Sequence, residues 1–257
     1  MGTPSYDSVR IDRRDDGIAV VTIDRPDKHN AMSVTFFREL PQVMDDLSAD
    51  PDVAVAIITG AGEAAFSAGG DLAGFAELAD HAAYRRQLRL VYDAFHAVER
   101  AEVPVIAAVN GIAYGGGTEL TLACDIAIAS ERARFAFREP SVGLMPGYGV
   151  VRGPTIIGHA WTRYLALTAE VIDAAEAERI GLVVRRVPHE RLLPEAERVA
   201  GLIAAQAPLA VAVGKQFVNR DLQAPGLAES IEATALLFTT PDHRDRLAGF
   251  LDRGAPR

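Results

Sequence analysis

Two glutamates, Glu119 and Glu139, lie twenty residues apart in segments whose neighbours could give them chemistry. Glu119 falls in the first turn of a predicted helix, where a glutamate is commonly a dipole partner or a capping residue. Glu139 follows Arg138, and a surface salt bridge is the simplest interpretation of that pair. If the fold brings both carboxylates into one dry cleft, they could hold a water molecule and move protons to and from carbon.

A triple glycine, Gly115–Gly117, precedes Glu119 and follows an apolar run. The first N–H groups of a helix have no internal acceptor and lie at the positive end of the helix dipole. Without side chains here, a ligand carbonyl could approach them, as in a backbone oxyanion site. Tight packing of strand against helix is the alternative explanation. A dinucleotide loop is excluded because Leu120 replaces the last glycine of GxGxxG, and a P-loop is excluded because no Gly-Lys-Ser/Thr follows.

A second glycine segment, Gly69-Gly70, follows the apolar run 53–59 and a turn at 60–62. Asp71 is positioned to cap a following helix, which would leave an N–H near Gly70 free to point into a cleft. A glycine-rich turn before a capped helix is the simpler interpretation when this segment is considered alone.

The elements that must position these segments alternate between strand and helix up to about residue 190. Strands that are buried on both faces are predicted from apolar runs at 18–24, 53–59, 103–109 and 126–129, and a last strand is predicted at 182–187. Helices are predicted at 33–47 and 81–100, and then in succession at 190–205, 208–220, 226–238 and 241–252. The pattern predicts an α/β core of repeated ββα units at residues 1–190 and a helical C-terminal region at 191–257.

Composition excludes several classes of function. The formal net charge of −9 over 257 residues argues against a nucleic-acid binder. The single cysteine, Cys124, rules out an internal disulfide and a cysteine metal cluster, and the six histidines lack the HExxH spacing, so no metal site is predicted. We find no signal peptide and no apolar run long enough to cross a membrane, which predicts a cytoplasmic protein.

In order along the chain, these segments resemble the crotonase superfamily, the enoyl-CoA hydratase/isomerase family, over nearly its whole length. The matching motifs are Ile23–Met32, Phe66–Asp71, Pro104–Gly111 with the triple glycine and Glu119, Cys124–Ile126, Glu139 with Pro146-Gly147, Asp173–Ala177 with Gly181–Val183, and Phe238–Asp242. The resemblance implies a crotonase-type ββα spiral core with an α-helical C-terminal trimerisation region. It also implies a homotrimer or a dimer of trimers.

The resemblance further implies a hydratase that acts on an acyl-CoA thioester, with coenzyme A as part of the substrate and no permanently bound cofactor. The N–H groups of Gly70 and Gly116 would hold the thioester oxygen. Glu119 and Glu139 would hold the water that adds across the 2,3 double bond, or that leaves in the reverse reaction. The implied coenzyme A contacts are Lys28, His29, Ala31, Ala68, Gly70, Asp71, Leu72, Ala73 and Lys215.

Two alternatives stay open from the sequence: an isomerase with Glu139 as its only base, and a non-catalytic acyl-CoA-binding homologue. The chain also departs from the family pattern, with Arg138 where a proline is usual and an unusual stretch after Gly147. We therefore expect Tyr148 and Val150 to shape the pocket for an unusual acyl group rather than a simple crotonyl group.

Overall fold

The computed structural model describes residues 5–76, 81–219 and 227–252. Its strands are β1 (Val9–Arg13), β2 (Ile18–Ile23), β3 (Val55–Gly60), β4 (Ala65–Ser67), β5 (Val105–Val109), β6 (Ile112–Tyr114), β7 (Ile126–Ser130), β8 (Arg134–Ala136), β9 (Ile172–Asp173) and β10 (Arg185–Val187). Its α-helices are α1 (Val34–Ala49), α2 (Leu72–Ala76), α3 (His81–Arg100), α4 (Gly116–Ala123), α5 (Gly149–Ile156), α6 (Gly158–Thr168), α7 (Ala174–Arg179), α8 (Leu192–Ala204), α9 (Pro208–Val218), α10 (Leu227–Phe238) and α11 (Pro241–Asp252).

The described strands form two sheets. One has the order β1-β2-β3-β5-β7-β10 and the other has the order β4-β6-β8-β9. Pairing is parallel throughout except between β1 and β2 and between β8 and β9. Successive strands alternate between the sheets, since β3, β5 and β7 belong to the first and β4, β6 and β8 to the second. Each strand pair is followed by a helix, which confirms the predicted ββα units.

The central strands of the larger sheet, β2, β3, β5 and β7, are buried on both faces, as their continuous apolar runs predict, whereas the edge strands β1 and β10 are partly exposed. On one face, Ala19, Val21 and Ile58 join the main core with α1 and α3. On the other face, Ile57 and Ile106 pack in a second core against α8. Because side chains alternate along a strand, neighbouring residues supply the two cores.

The predicted and observed strand boundaries differ by a few residues. The reason is that apolar residues next to a strand can be buried without forming the hydrogen bonds of the sheet. Val53 and Val103 are buried, yet β3 and β5 begin two residues later. Leu182 and Val183 likewise pack in the core before β10 begins at Arg185. Ser33 caps α1 as predicted, since its hydroxyl accepts a hydrogen bond from the Phe36 N–H at 3.2 Å.

The C-terminal helices extend the core. α8 covers the outer face of the larger sheet, while α10 packs on α3 and α11 packs on the short 3-10 helix Glu139–Val142. The division into units at residue 190 stays a prediction. Among the described helices, none is by itself long and apolar enough to cross a membrane, and only the bent pair His189–Ala204 and Pro208–Val218 passes such a criterion together.

Candidate active site

Three segments with potential chemistry meet at one edge of the smaller sheet. The Gly69-Gly70 segment follows β4, the triple glycine follows β6, and Glu139 follows β8. These strands are parallel neighbours, and the carboxyl ends of parallel strands lie at the same edge, where ligand sites commonly form. Topology therefore brings together residues that are up to about seventy positions apart in the chain.

The Gly70 segment is held by main-chain bonds to Met32. The Met32 N–H donates to the Gly69 carbonyl at 2.8 Å, and the Asp71 N–H donates to the Met32 carbonyl at 2.9 Å. Gly69 has a φ of +96°, a conformation that a residue with a side chain rarely adopts. Among the described residues, no acceptor lies in hydrogen-bonding geometry to the Gly70 N–H.

The triple glycine forms the start of α4, with Gly115 as the N-cap at φ +51°. A Cβ atom on Gly115 would lie 2.5 Å from Oε1 of Glu139, and one on Gly116 would lie 2.9 Å from Cε of Met32. The Gly116 N–H belongs to the first helical turn, which has no internal acceptors, and no other acceptor within the described ranges reaches it. These glycines therefore keep space open beside a free N–H.

The two glycine N–H groups are neighbours. A Cβ atom on Gly116 would lie 3.6 Å from the Gly70 nitrogen, and one on Gly69 would lie 3.2 Å from the Gly116 nitrogen. Two free N–H groups this close could both donate to one ligand oxygen, the geometry that stabilises an oxyanion.

Glu119 lies one helical turn behind these donors and is 5% exposed. Its Oε1 accepts hydrogen bonds from the N–H groups of Tyr148 at 3.0 Å and Gly149 at 2.8 Å. Burial raises the pKa of the Glu119 carboxyl, and the two backbone donors oppose that rise because they stabilise the charged form. The sequence gives no direct sign of these donors, which are the N-cap residue and the first residue of α5.

Glu139 begins the 3-10 helix and has a different environment. Its Oε2 is buried and has no hydrogen-bond partner among the described residues. Burial and then the negative charge of Glu119 raise the pKa of the Glu139 carboxyl well above its ordinary value. The simplest interpretation of the sequence, a salt bridge with Arg138, is wrong: the Arg138 guanidinium donates to the Ala169 carbonyl at 3.1 Å.

Two phenols on α3 stand near the carboxylates, and the sequence analysis had assigned them no role in the site. Burial and then the charge of Glu139 raise the pKa of Tyr84, and burial and then the charge of Glu119 raise that of Tyr92. Tyr84 stacks on Phe238 of α10, with ring centroids 4.0 Å apart. The Tyr92 hydroxyl lies 2.8 Å from that of Ser230. Helical periodicity predicts that Tyr84 is buried, but it does not identify its neighbours.

The C-terminal helices form one wall of this site. Ser230 of α10 donates to the Gly147 carbonyl at 2.5 Å. His243 of α11 donates through Nδ1 to the Val142 carbonyl at 2.6 Å, in the 3-10 helix that carries Glu139. The turn with Glu139 is therefore held by the helical region as well as by β8.

Most of the residues predicted to contact coenzyme A form one surface. The Ala68 N–H donates to the His29 carbonyl at 2.9 Å, which joins the loop containing Lys28 and Ala31 to the segment Ala68–Ala73. Lys28 and Ala73 are exposed, and Ala31, Gly70 and Leu72 are partly exposed. These predicted coenzyme A contacts are therefore accessible to a ligand.

Arg25 fixes this surface, and the sequence analysis did not single it out. It donates to the Ala31 carbonyl at 2.8 Å and to the Asp71 carboxylate at 3.0 Å. Asp71 stands at the start of α2 as predicted, since its carbonyl accepts from the Phe75 N–H. Its carboxylate, however, pairs with Arg25.

The prediction that Lys215 lends positive charge to coenzyme A is wrong. Its ammonium is buried and donates to the carbonyls of Val98 and Val103, each at 3.0 Å, and it pairs with Asp125 at 2.8 Å. Three acceptors match the three protons of an ammonium group. These partners lie where β5 begins, at the opposite end of the strand from the glycines.

The prediction that Tyr148 shapes the acyl pocket is also wrong. Its side chain is 0% exposed and its ring packs edge-on against Phe95 and Tyr92 of α3. The residue acts at the site through its backbone N–H on Glu119. Val150 is partly exposed, and its contact with an acyl group stays a prediction.

Comparison with known proteins agrees with this geometry. The family model described as enoyl-CoA hydratase/isomerase matches residues 13–256. The crotonyl-CoA hydratase of Syntrophomonas wolfei is 38% identical over 97% of this chain and 96% of its own length. The short-chain-enoyl-CoA hydratase of Clostridium acetobutylicum is 39% identical over 92% of each chain.

A solved enoyl-CoA hydratase/isomerase from Xanthobacter autotrophicus Py2 superposes with a TM-score of 0.89 at 32% identity, over 97% of this chain and 95% of its own. Fold, family model and relatives agree over nearly the full length. The chain belongs to the enoyl-CoA hydratase/isomerase family.

Proposed function

We propose that this protein adds water across the 2,3 double bond of an enoyl-CoA thioester, and that it also catalyses the reverse dehydration. The observation that carries the proposal is the pair of buried carboxyls, Glu119 and Glu139, beside two adjacent free N–H groups. The names of the relatives support the same chemistry.

The N–H groups of Gly70 and Gly116 receive the thioester oxygen. Negative charge grows on this oxygen as water adds to carbon 3 and an enolate develops, so the two donors act most strongly in the transition state. One such donor is worth about 3–4 kcal/mol in comparable sites. Their neighbouring positions and free hydrogens support this role.

The two glutamates divide the proton transfers. Glu119, whose charged form is stabilised by two backbone donors, takes a proton from water as the water oxygen bonds to carbon 3. Glu139, kept protonated by burial and by the charge of Glu119, gives its proton to carbon 2. The proton on Glu119 then returns to Glu139 through solvent, so the cycle balances.

Coenzyme A lies along the joined loops at Lys28–Ala31 and Ala68–Ala73. The lysine supplies a cation for a phosphate, and the chain between Ala68 and Gly70 leads the thioester towards the two donors. Arg25 keeps this surface in shape through its bonds to Ala31 and Asp71.

The acyl group is short. Tyr84, whose pKa is raised by burial and then by the charge of Glu139, stacks on Phe238, and this pair of rings closes the far end of the proposed acyl site. The two relatives described above are named for crotonyl and short-chain substrates. A Phe238→Ala variant should gain activity on longer enoyl chains relative to crotonyl-CoA.

The test is a panel of short, long, branched and aromatic enoyl-CoA thioesters in ¹⁸O-labelled water. We expect loss of the conjugated absorbance, fastest with crotonyl-CoA, and one labelled oxygen on carbon 3 of the product. An isomerase with Glu139 as its base would move the double bond of a 3-enoyl thioester without incorporating label. Binding without any turnover across the panel would overturn the proposal in favour of a non-catalytic binder.

The active form is a homotrimer or a dimer of trimers. The helix α9 supports this assembly because it exposes large apolar side chains, with Leu209 77%, Phe217 68% and Val218 80% exposed. Light scattering should give three or six times the chain mass of 27.5 kDa. A Phe217→Asp variant should dissociate, and a monomer at every concentration of the parent would contradict the assembly.

A cytoplasmic location remains a prediction.

A further inference from the structure

A buried ion pair lies next to Tyr148, whose N–H donates to Glu119. Arg152 of α5 is 1% exposed and donates through Nη2 to Oε2 of Glu99, on α3, at 2.7 Å. The same Nη2 lies 3.2 Å from Nε2 of His96. None of these residues belongs to the proposed proton transfers.

Tyr148 connects this ion pair to the catalytic carboxylate. Its N–H donates to Glu119, its carbonyl accepts from the Arg152 N–H at 2.9 Å, and the Arg152 guanidinium lies 5.5 Å from the centre of its ring. Burial and then the negative charge of Glu99 raise the pKa of the Tyr148 hydroxyl, which has no hydrogen-bond partner among the described residues. A continuous set of contacts therefore runs from α3 to Glu119.

Two glycines of α5, the helix that begins at the donor Gly149, pack closely against neighbouring side chains. A Cβ atom on Gly149 would lie 2.6 Å from the ring of Phe137, and one on Gly153 would lie 2.6 Å from Oγ1 of Thr162. Phe137 and Thr162 therefore limit how far α5, and with it the Gly149 N–H, can move.

Stability alone does not account for the ion pair. A buried pair is often no more stabilising than apolar side chains of the same size, because both charges lose their hydration. Here Nε and Nη1 of Arg152 and Oε1 of Glu99 are buried without hydrogen-bond partners among the described residues, which adds to the cost. A costly pair that contacts a catalytic loop suggests a role in orientation.

We propose that Arg152 and Glu99 are positioning residues that hold the N–H groups of Tyr148 and Gly149 against the Glu119 carboxylate. The inference deepens the proposed hydratase function and rests on it. It predicts that a change in the ion pair alters the protonation of Glu119, a residue that neither member touches.

The test replaces both charges together, as Arg152→Met with Glu99→Met, so that no unpaired charge remains. We expect a folded protein with KM for crotonyl-CoA within about threefold of the parent and kcat lower by about ten- to a hundredfold. The acid limb of the kcat profile should move to higher pH by about half a unit or more, because weaker donors stabilise the Glu119 anion less.

The matched control is Arg14→Met with Glu197→Met, which removes another 2.7 Å ion pair, one that joins the end of β1 to α8. Its kcat and acid limb should equal those of the parent. If the Arg152 and Glu99 double variant also keeps the parent kcat and acid limb, the pair is only structural and the proposal is overturned. If the double variant does not fold, Arg152→Lys and Glu99→Gln replace it, and an unmoved acid limb in both overturns the proposal equally.

A readout without turnover separates this inference from the proposed function. The Glu119 carboxyl, followed by ¹³C NMR, should titrate at higher pH in the double variant than in the parent or the control. Were the parent to lack hydratase activity, the hydratase proposal would fail while this titration still decided the positioning role. Identical Glu119 titration in all three proteins would overturn it.

Discussion

The surroundings of Glu119 and those of Glu139 differ although both carboxyls are buried in one site. Glu119 has two backbone donors on Oε1, whereas Oε2 of Glu139 has none within the described residues. Donors favour the charged form, and their absence favours the proton. Two chemically identical side chains can therefore take opposite roles, proton acceptor and proton donor, because the backbone around them differs.

The largest effect should come from removing either carboxyl. Glu119→Gln and Glu139→Gln should each lower kcat by about 10²–10⁴-fold, because general acid–base steps of this kind contribute that much. Binding of the thioester should stay close to the parent, since neither side chain holds coenzyme A. Steady-state kinetics with crotonyl-CoA and calorimetric titration with a saturated acyl-CoA measure the two quantities. Parent-like kcat in either variant would refute the division of roles.

A methyl group pushed towards Glu139 should have the next largest effect. In Gly115→Ala, the new Cβ would lie 2.5 Å from Glu139 Oε1 at a φ of +51°, so either the carboxyl or the start of α4 must shift. A displacement near 1 Å costs about a hundredfold in rate in well-organised sites. Gly201→Ala on α8 is the control, because nothing lies within 4 Å of its new Cβ. Equal kcat values in both variants would show that the contact is unimportant.

The proton on Glu139 has a consequence for stability. An unfolded glutamate has a pKa of about 4.3, and the folded Glu139 pKa is raised, so folding takes up a proton in the pH range between these values. The free energy of unfolding of the parent therefore falls as pH rises through that range. Glu139→Gln does not titrate, so its stability relative to the parent should grow with pH, by up to about 1–3 kcal/mol.

Urea unfolding of both proteins between pH 4 and pH 9 measures this difference. Glu139→Asp, which keeps a titrating carboxyl, is the control and should follow the pH dependence of the parent. A constant difference between parent and Glu139→Gln across the range would mean that Glu139 is ionised in the folded protein.

The smallest effect on catalysis is expected from a change at Lys215, whose partners lie near the start of β5 and away from the glycine donors. Lys215→Met should leave KM and kcat for crotonyl-CoA within about twofold of the parent, because the polar partners of its ammonium among the described residues are Val98, Val103 and Asp125. It should lower stability by about 3–5 kcal/mol, the typical cost of leaving one partner of a buried ion pair alone. Kinetics and thermal unfolding check both parts, and a selective rise in KM would restore a role for Lys215 in binding coenzyme A.

Much of the fold could be predicted from local patterns. Continuous apolar runs identify strands buried on both faces, and the helical spacing of Tyr84, Leu88 and Phe95 identifies the buried side of α3. Glycine motifs identify Gly70 and Gly116, because a missing side chain is visible in the sequence. These features depend on residues that are near each other in the chain.

The donors to Glu119 and the place of Lys215 could not be predicted in the same way. Tyr148 acts through its backbone, so its side chain gives no sign of the bond and suggested a pocket residue instead. Lys215 has the charge that suits a phosphate, yet its acceptors are main-chain carbonyls more than a hundred residues away. Contacts of this kind depend on tertiary packing, which residue type and spacing do not encode locally.

The most direct test of the account is the protonation of the two carboxyls at pH 8, above the pKa of about 7 to which burial raises Glu119. Carbon-13 NMR of labelled glutamate side chains, assigned with Glu119→Gln and Glu139→Gln, reports each carboxyl separately. We predict one protonated carboxyl, whose signal disappears in Glu139→Gln, beside one ionised carboxyl that belongs to Glu119. A protonated signal that persists in Glu139→Gln and disappears in Glu119→Gln would contradict the account.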